Sequence, residues 1–593
     1  MLSTSGLPAG FLAVSAVPGA YPPDVSQAIH LLGDASQSLA IGDINLTLCK
    51  IDARTVSSDG SVLASLSRAP RRHERDLDPV TVMKFLRDGD LAALQNVLPP
   101  FAAMTWGGQT RGLVAGVDPL GFRHLYYRRT EQWAAVSTSA RVLASLQLSG
   151  IDPTAFGVQS LLGWQLGLRT PFFDVSKVPA GAIVTLHKGR VTIRDTENST
   201  TISSEVQPNL NEAVRSAASL LRTYMSAYLE DHPHAVLQLT GGQDSRILLG
   251  AVPENRRRGL HVMTLDVPGN DDLEIAAMLA QRYGMKHQVI NLEGLDAVSP
   301  EDAHDMAVVA AKRLECSADP IAWASVSWAE GEVQQYPRLS GLGGEVARGF
   351  YYLGPPRTVT VTRRRVQQLA EWRMFSNEAV ASHSLEPAFA TSARTVTIDE
   401  IYSILASDGY DWLTATDEFY LRQRMQRWAG ILSTATCLER AVVNPMLDNR
   451  FLGLARCLRP REKHASRFLG RLMCALDDEL SSIPLNGRPA PKAYAYPRRS
   501  RNRVSLGAVT VRTAAAKVRQ RAMRARRPSV GGEILAKKIS EFYRDSSGAL
   551  DAVRNLGVFR SDWLDQVAAG TTSVDPASVA MLVNLEVASI SQA

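Results

Sequence analysis

The chain has 593 residues, of which 45% are apolar, and 65 Lys and Arg stand against 59 Asp and Glu. These values are typical of globular proteins and exclude wholesale disorder and fibrous repeats, and the length suffices for roughly two to four domains. No stretch approaches the ~18 uninterrupted apolar residues of a membrane helix, which predicts no membrane insertion. The five scattered cysteines form no CxxC motif or Cys/His cluster, so we expect a cytoplasmic protein without disulfides or a zinc site.

The net charge of +6 comes from one segment. Residues 498–527 contain eleven Lys and Arg and no acid, whereas the rest of the chain is net acidic. Because the excess of positive charge is confined to this segment, no nucleic acid is expected as a partner. We expect the surrounding segment, 497–528, to be a solvated helix or a flexible insertion.

The first 205 residues are predicted to form a β-rich domain of the α+β class. Short apolar runs are separated there by Gly, Pro and Asp turns, which is typical of strands. A polar stretch at 198–205 predicts a linker and separates this domain from a second one at 206–593. The predicted strands are 46–49, 112–117, 125–128 and 134–137.

The second domain is predicted to be α/β. A helix is expected from Leu210 to Tyr228, where apolar residues recur at helical spacing. Strands and helices then alternate, which predicts a parallel sheet with helices on its faces. The region from Asp302 to Asp478 is predicted to be mostly helical. The alternating strands are 235–239, 260–265 and 287–290, and the helices between them are 246–252 and 271–283.

A glycine turn follows the first predicted parallel strand. Two glycines allow a tight turn whose N–H groups approach a ligand, and the following helix start favours anions. Asp244 suits such a site if it holds Mg²⁺ between phosphates. A plain Gly-Gly turn with an Asp or Ser helix cap is the alternative. The turn is Thr240, Gly241, Gly242, Gln243, Asp244 and Ser245.

This turn resembles the pyrophosphate loop of the N-type ATP pyrophosphatases, and among these the asparagine synthetase family. The segment 339–346 resembles that family's Ser-Gly-x-Gly-x-Asp-Glu segment, with Glu345 in place of the Asp that helps to hold Mg²⁺ and Val346 in place of the following Glu. The segment 443–448 resembles the family's Pro-Phe-Leu-Asp turn, in which Asp448 is expected to cap a helix. Lys463 and Arg467 resemble its Lys-x-x-x-Arg pair.

The resemblance implies a nucleotide site that binds ATP and Mg²⁺. Asp244 and Glu345 are the implied metal ligands, and Lys463 is the implied cation for the leaving pyrophosphate or the acyl-phosphate oxygens. The backbone of strand 260–265 is implied to flank the adenine. The remaining implied nucleotide-binding residues are Thr240, Gly241, Gly242, Gln243, Ser245, Met263, Thr264, Leu265, Gly343, Gly344 and Arg467.

The N-terminal domain resembles the glutaminase domain of the same family in the segment 113–127. The resemblance implies a β-sandwich. Glutamine-dependent members carry a nucleophilic Cys directly after the initiator Met, whereas this chain begins Met1-Leu2-Ser3-Thr4 and has its first cysteine at Cys49. We therefore expect an inactive glutaminase-like scaffold, and an attacking amine that is already part of the substrate.

Two branches of the family fit this expectation: the β-lactam synthetases and the lasso peptide cyclases. The segments 343–352, 417–430 and 483–491 resemble the cyclases more closely. That branch adenylates an Asp or Glu side chain of a leaderless precursor peptide and closes a macrolactam with the peptide's N-terminal amine. The implied partners are the core peptide, a leader peptidase and a leader-recognition protein. A small-molecule amide synthetase of the same family and a non-catalytic scaffold or peptide-binding protein are the alternatives.

Overall fold

The computed structural model describes most of the chain, and the predicted linker and nearly all of the basic segment lie outside the described residues. The boundary placed at 205/206 lies outside them too. The described residues are 10–32, 36–49, 53–54, 62–65, 70–106, 112–195, 209–267, 271–331, 333–352, 356–375, 379–497, 506 and 530–590.

The described residues form a mixed α/β structure with antiparallel and parallel sheets. All strands predicted from the sequence are present, with ends shifted by one or two residues. The strands are β1 Gly10–Ala16, β2 Ser36–Ile41, β3 Ile44–Cys49, β4 Ala53–Arg54, β5 Val62–Ser65, β6 Arg71–Arg72, β7 Arg75–Asp76, β8 Ala102–Trp106, β9 Leu113–Val117, β10 Tyr126–Arg129, β11 Trp133–Ser137, β12 Val175–Lys177, β13 Ile183–His187, β14 Arg190–Arg194, β15 Val236–Gln238, β16 His261–Leu265, β17 Lys286–Ile290, β18 Arg338–Leu339 and β19 Val442–Val443.

Helices make up most of the chain after Pro300, as predicted. The α-helices are Ser26–Leu32, Pro79–Asp88, Leu91–Leu94, Ala140–Ser145, Pro153–Leu162, Leu210–Asp231, Gln243–Ala251, Glu254–Arg257, Asp272–Tyr283, Pro300–Arg313, Pro320–Gly331, Arg363–Leu369, Pro387–Ala406, Trp412–Phe419, Gly430–Cys437, Asn449–Cys457, Pro460–Lys463, Arg467–Leu476, Asp478–Ser482, Pro491–Ala495, Gly532–Asp545, Asp551–Arg554, Ser561–Ala568 and Pro576–Ile590. Ala370–Met374 and Tyr420–Ala429 are π-helical, and short 3₁₀ turns lie at Leu295–Ala297, Gly344–Ala347, Pro445–Leu447, His464–Ser466 and Ser547–Leu550.

Two antiparallel six-stranded sheets form the N-terminal region. One has the order β12-β10-β11-β1-β3-β2 and the other the order β14-β13-β9-β8-β5-β4. Buried residues from both sheets, such as Phe11, Val136, Met104 and Val184, share one apolar core. The two sheets therefore pack face to face, because each strand alternates an inward apolar face with an outward one.

A five-stranded parallel sheet with the order β17-β16-β15-β18-β19 forms the centre of the second region. The helix Leu210–Asp231 begins with a capping box between Asn209 and Glu212 and buries one apolar face in the large core around this sheet. The helix Asp272–Tyr283 ends at Gly284, whose φ of 63° provides the predicted left-handed cap. The alternation of strands and helices thus produces the predicted parallel sheet.

The C-terminal helices pack on the helices Pro300–Arg313 and Pro320–Gly331, whereas the helices Ser26–Leu32 and Ala140–Ser145 cover the outer face of the first antiparallel sheet. Leu12, Val14 and Ala135 from that sheet share a core with the helices Gly532–Asp545 and Pro576–Ile590. One apolar core therefore extends from this sheet to the C-terminal helices. None of the helices in the described ranges combines the length and the apolar character that crossing a bilayer requires.

Candidate nucleotide site

Four parallel strands direct their carboxyl ends to one edge of the central sheet. β15 leads into the turn at Thr240, β18 into the glycine loop at Ser340, and β19 into Asn444. β16, on the other side of β15, carries Met263 to Leu265. Open parallel sheets bind ligands at this edge, so the sequence-predicted nucleotide residues on these strands converge where a ligand is expected.

The predicted pyrophosphate turn is held in shape by its own hydroxyl groups. The amide of Thr240 donates to the Oγ of Ser245 at 3.1 Å, and the amide of Gly242 donates to the Oγ1 of Thr240 at 3.1 Å. The helix begins at Gln243, three residues earlier than predicted, because Gly242 takes the extended N-cap conformation. Asp244 and Ser245 thus lie in the first helical turn, where the unpaired N–H groups of a helix favour an anion.

Gly241 is fixed by three residues to which the sequence analysis assigned no role in the site. Its amide donates to Oδ1 of Asp272 at 2.9 Å, and the side chain of Asn486 donates to the same oxygen at 3.0 Å. Its carbonyl accepts from Arg246 Nη2 at 3.1 Å. A β-carbon at position 241 would lie 2.7 Å from the Asp272 carboxylate, so only glycine fits. Asp272 begins the helix after β16, and no spacing in the sequence relates it to the turn.

The second glycine loop packs directly on the start of the helix Gln243–Ala251. A β-carbon at Gly341 would lie 2.7 Å from the backbone of Asp244 and Ser245. Gly343 has a φ of 112°, which favours glycine, and lies against Met446 of the Asn-Pro-Met-Leu turn. Three of the segments that resemble the synthetase family therefore meet at one place.

Asp244 and Glu345 share one arginine. Arg348 Nη1 lies 3.4 Å from Oδ2 of Asp244, and its Nη2 donates to Oε1 of Glu345 at 3.0 Å. Burial raises the pKa of Asp244 to about 7, with Glu345 acting in the same direction and Arg348 in the opposite one. Arg348, three residues after Glu345, belongs to the site, although the sequence had marked it only as part of a family-like segment.

The other oxygens of the two carboxylates fit a divalent cation. Oδ1 of Asp244 and Oε2 of Glu345 are buried without a hydrogen-bond partner. Mg²⁺ is held in proteins by one or two carboxylates together with substrate phosphates, so a pair of acids suffices. Within the described ranges no three or more His, Cys, Asp and Glu side chains are grouped so that they could hold a metal ion, so the phosphates and water would complete the coordination.

Lys463 is buried and bonded to an acid. Its Nζ donates to Oδ2 of Asp417 at 2.8 Å, and the hydroxyl of Tyr352 donates to the same oxygen at 2.8 Å. Tyr352 ends the loop that carries Glu345 and Arg348, so Lys463 is tied to that loop through Asp417. Burial raises the pKa of Asp417, against the effect of Lys463. Arg467 begins the next helix, after Ala465 and Ser466 with φ of 54° and 56°.

The residues of β16 that were predicted to flank the nucleotide also make contacts that stabilise the sheet. The amide of Leu239 donates to the carbonyl of Met263 at 2.8 Å, and the hydroxyl of Thr264 donates to the carbonyl of Leu239 at 2.8 Å. Met263 packs in a small apolar cluster with Val236 and Ile290, and Leu265 lies beside it. These contacts fix the strand end beside the Thr240 turn.

The arginine-bearing segment 417–430 is π-helical over Tyr420–Ala429, and two of its arginines make different kinds of contact. Arg427 is fully buried and donates to the carbonyl of Arg169 at 2.7 Å and to Gln165 Oε1 at 2.9 Å, so it joins this helix to the N-terminal region. Arg424 lies over the rings of Trp428 and Phe350, 4.5 Å and 5.6 Å from their centroids. Arg424 is therefore the arginine of this helix that approaches the Glu345 loop.

The family-like segment of the N-terminal region forms a junction with the same helix. Asp118 is buried and accepts from four backbone amides, including those of Phe122 and Arg123, which fixes the turn that follows β9. His124 Nε2 lies 3.0 Å from the carbonyl of Gln426. A nitrogen facing a carbonyl must donate, so the imidazole is the Nε2–H tautomer. The segment thus positions the helix that carries Arg424.

Comparison with known proteins adds no assignment, since the chain matches no protein-family model and no curated protein at a significant level. The functional proposal therefore depends on the residues and their geometry.

Proposed function

We propose that the chain is an ATP-dependent, AMP-forming amide ligase of the lasso peptide cyclase type. The observation that carries the proposal is the pair Asp244 and Glu345, each with one buried oxygen lacking a partner, on two glycine turns at the carboxyl edge of a parallel sheet. Buried acceptors without partners are rare, because leaving them unpaired costs about 1–3 kcal/mol each. A cation carrying phosphates explains both at once.

ATP is the proposed substrate of this edge. The triphosphate would lie on the Thr240 turn and the start of the helix Gln243–Ala251, where helix N–H groups face it, and the adenine beside the end of β16. The carboxylate of an Asp or Glu side chain attacks the α-phosphorus, and pyrophosphate leaves. The acyl-adenylate is then attacked by the peptide's N-terminal amine, which forms the isopeptide bond and releases AMP.

Asp244 and Glu345 are the residues that would hold Mg²⁺. When bound, the ion neutralises the phosphate oxygens and stabilises the charge that develops on the leaving group. Arg348 holds the remaining carboxylate oxygens and so orients both acids towards the same space. Lys463, which is ion-paired with Asp417, would supply positive charge to the leaving pyrophosphate, the role that the family resemblance gives it.

The chemistry of the first region supports an amine supplied by the substrate. Cys49, the only cysteine before Cys316, is fully buried at the end of β3, where a thiol cannot serve a glutamine substrate. We propose that this region is a glutaminase-like β-sandwich that has become a scaffold. The second region, in this proposal, is a synthetase domain of the ATP-pyrophosphatase type, and a leader peptidase and a leader-recognition protein supply its peptide.

The test is a reaction with purified protein, MgATP and a pool of synthetic linear peptides that each have a free N-terminus and one Asp or Glu. The proposal predicts pyrophosphate release and peptides that have lost one water, detected by mass spectrometry. Loss of water from small β-amino acids and not from peptides would favour a β-lactam synthetase. If neither pyrophosphate nor a dehydrated product forms while peptides still bind, the protein is a non-catalytic peptide-binding protein.

A further inference from the structure

A large cleft lies between the C-terminal helices and the rest of the molecule. Its volume is about 1060 Å³, which is at or above the upper end of small-ligand pockets. The helices Gly532–Asp545 and Pro576–Ile590 form two of its walls, and the beginning of Pro320–Gly331 forms a third. The family resemblance does not extend to these C-terminal helices, so it gives them no role.

The cleft contains a polar acceptor with no partner. Asn584 is 1% exposed and lines the cleft, and its Nδ2 donates to the carbonyl of Ala318 at 2.9 Å. Its Oδ1 has no hydrogen-bond partner among the described residues. Because that donor bond fixes the orientation of the amide, Oδ1 is available for an N–H group, the donor that every peptide residue except proline provides.

The remaining lining suits a polypeptide better than a compact metabolite. Small side chains such as Ala322 and Ala577 leave room for a backbone, and hydroxyls such as Ser540 offer further hydrogen bonds. Charges of both signs alternate along one wall, where Glu533, Lys537, Glu541 and Arg544 follow one another on the same helix. A cleft with mixed charge accepts peptide side chains of either sign.

One residue of the cleft lining is linked to the loop of the proposed reaction site. Trp428 lines it, and the guanidinium of Arg424 lies 4.5 Å from the Trp428 ring centroid and 5.6 Å from that of Phe350. Phe350 follows Arg348 by two residues, in the loop that carries Glu345. The stack of Trp428, Arg424 and Phe350 therefore connects the lining of the cleft to the loop that carries Glu345.

We infer that this cleft binds the precursor peptide and holds its chain while the activated carboxylate reaches the nucleotide site at the Trp428 end. The inference rests on the proposed function for the identity of the peptide as substrate, but it assigns a peptide site that can be measured without catalysis. Ring closure requires the two reacting ends of the peptide to be held close together, so a macrocycle-forming enzyme needs such a surface.

The experiment measures capture of peptides from a pool of synthetic 15-residue peptides with free N-termini, each with one Asp or Glu, by the full-length protein without nucleotide. Ala577→Trp and Ser540→Trp place bulk in the cleft at half-buried positions, and Ala92→Trp is the control at an exposed position on another helix. We expect the two cleft variants to bind the captured peptides at least tenfold more weakly, with melting temperatures and MgATP affinity unchanged.

Wild-type affinity in both cleft variants, or no capture by the wild type, would overturn the inference. The proposed function is tested separately, by measuring pyrophosphate release. Capture that the tryptophans abolish, in a protein that never releases pyrophosphate, would support the cleft and reject the ligase. Pyrophosphate release that the tryptophans leave intact, with unchanged peptide affinity, would support the ligase and reject the cleft.

Discussion

Gly344 lies so close to Asp244 that a β-carbon at position 344 would come within 2.6 Å of Asp244 Cγ. The two residues are a hundred positions apart in the chain and meet because β15 and β18 are adjacent parallel strands. Gly344 therefore leaves the space in which the Asp244 carboxylate lies. A side chain at position 344 would occupy that space.

Replacing Gly344 by alanine should displace the Asp244 carboxylate. We expect Gly344→Ala to reduce peptide-dependent pyrophosphate release at least tenfold and to lower the free energy of unfolding by about 1–3 kcal/mol through overpacking. Gly453→Ala is the matched control, because Gly453 is helical and a β-carbon added there would meet no other atom within 4 Å. That control should be neutral or more stable by about 0.5–1 kcal/mol. Equal activity in the two variants would contradict the close packing.

Removing the charge of Asp244 or of Glu345 should reduce activity without reducing stability. Asp244→Asn takes away a buried charge, so the free energy of unfolding should stay the same or rise, while pyrophosphate release falls at least a hundredfold. Glu345→Gln should lose activity to a similar degree. Asp408→Asn, at an exposed acid, is the control. Thermal unfolding and pyrophosphate release are the two measurements, and an active Asp244→Asn protein would remove the metal-holding role of this residue.

Lys463 and Asp417 form a buried pair whose structural and chemical contributions can be distinguished by a double mutant. Lys463→Met leaves the Asp417 carboxylate buried without its cation and should lower the free energy of unfolding by about 3–5 kcal/mol. Adding Asp417→Leu removes that carboxylate and should recover most of the loss. Pyrophosphate release should stay low in the double mutant. A double mutant that regains both stability and activity would make Lys463 a structural residue only.

His124 should make folding sensitive to mild acid. Burial, aided by Lys177 and Arg427, lowers its pKa well below the usual 6.5, so the folded state binds fewer protons than the unfolded state between the two values. The contribution is complete above pH 6.5 and is lost as the pH falls towards the folded pKa, at up to about 1.4 kcal/mol per pH unit. We measure the free energy of unfolding in urea at several values between pH 8 and pH 5. This free energy should therefore fall less steeply with decreasing pH in His124→Gln than in the wild type.

At pH 8, His124→Gln should itself be less stable by about 1–2 kcal/mol, because the hydrogen bonds to Gln426 and Tyr126 are disturbed. Lys188→Gln, at an exposed turn, serves as the control for a change of charge. Parallel pH profiles for the wild type and His124→Gln would show that another group causes the acid sensitivity.

The local elements of this fold were predictable, because they depend on neighbours in the chain. The short apolar runs at 112–117 and 134–137, separated by turn residues, predicted strands, and the periodicity after Leu210 predicted a long helix. Gly284 was correctly expected to end its helix. The start of the helix after Gly242 was wrong by three residues, since polar Gln243 and Asp244 look like loop residues unless the N-cap geometry of Gly242 is known.

The candidate site was predictable only in its central residues. The turn at Thr240 and the loop at Gly343 carry unusual glycine patterns, and the segment with Asp448 was correctly expected to cap a helix. Asp272 lies outside these patterns, and the family-like segment 343–352 contained Arg348 and Tyr352 without indicating their roles. Each is an ordinary polar residue in a helix or loop, and its role appears only when distant segments are brought together.

The sequence by itself determined the classes of structure: strand or helix, parallel or antiparallel sheet, and a glycine turn suited to phosphate. These follow from backbone sterics and from the periodicity of apolar residues, which act over a few positions. Tertiary structure alone decided which acids share Arg348, why Lys463 is bonded to Asp417, and that the C-terminal helices enclose a cleft beside Trp428. Those relationships depend on the order of strands in the sheet and on packing between segments that are distant in the chain, which no local pattern encodes.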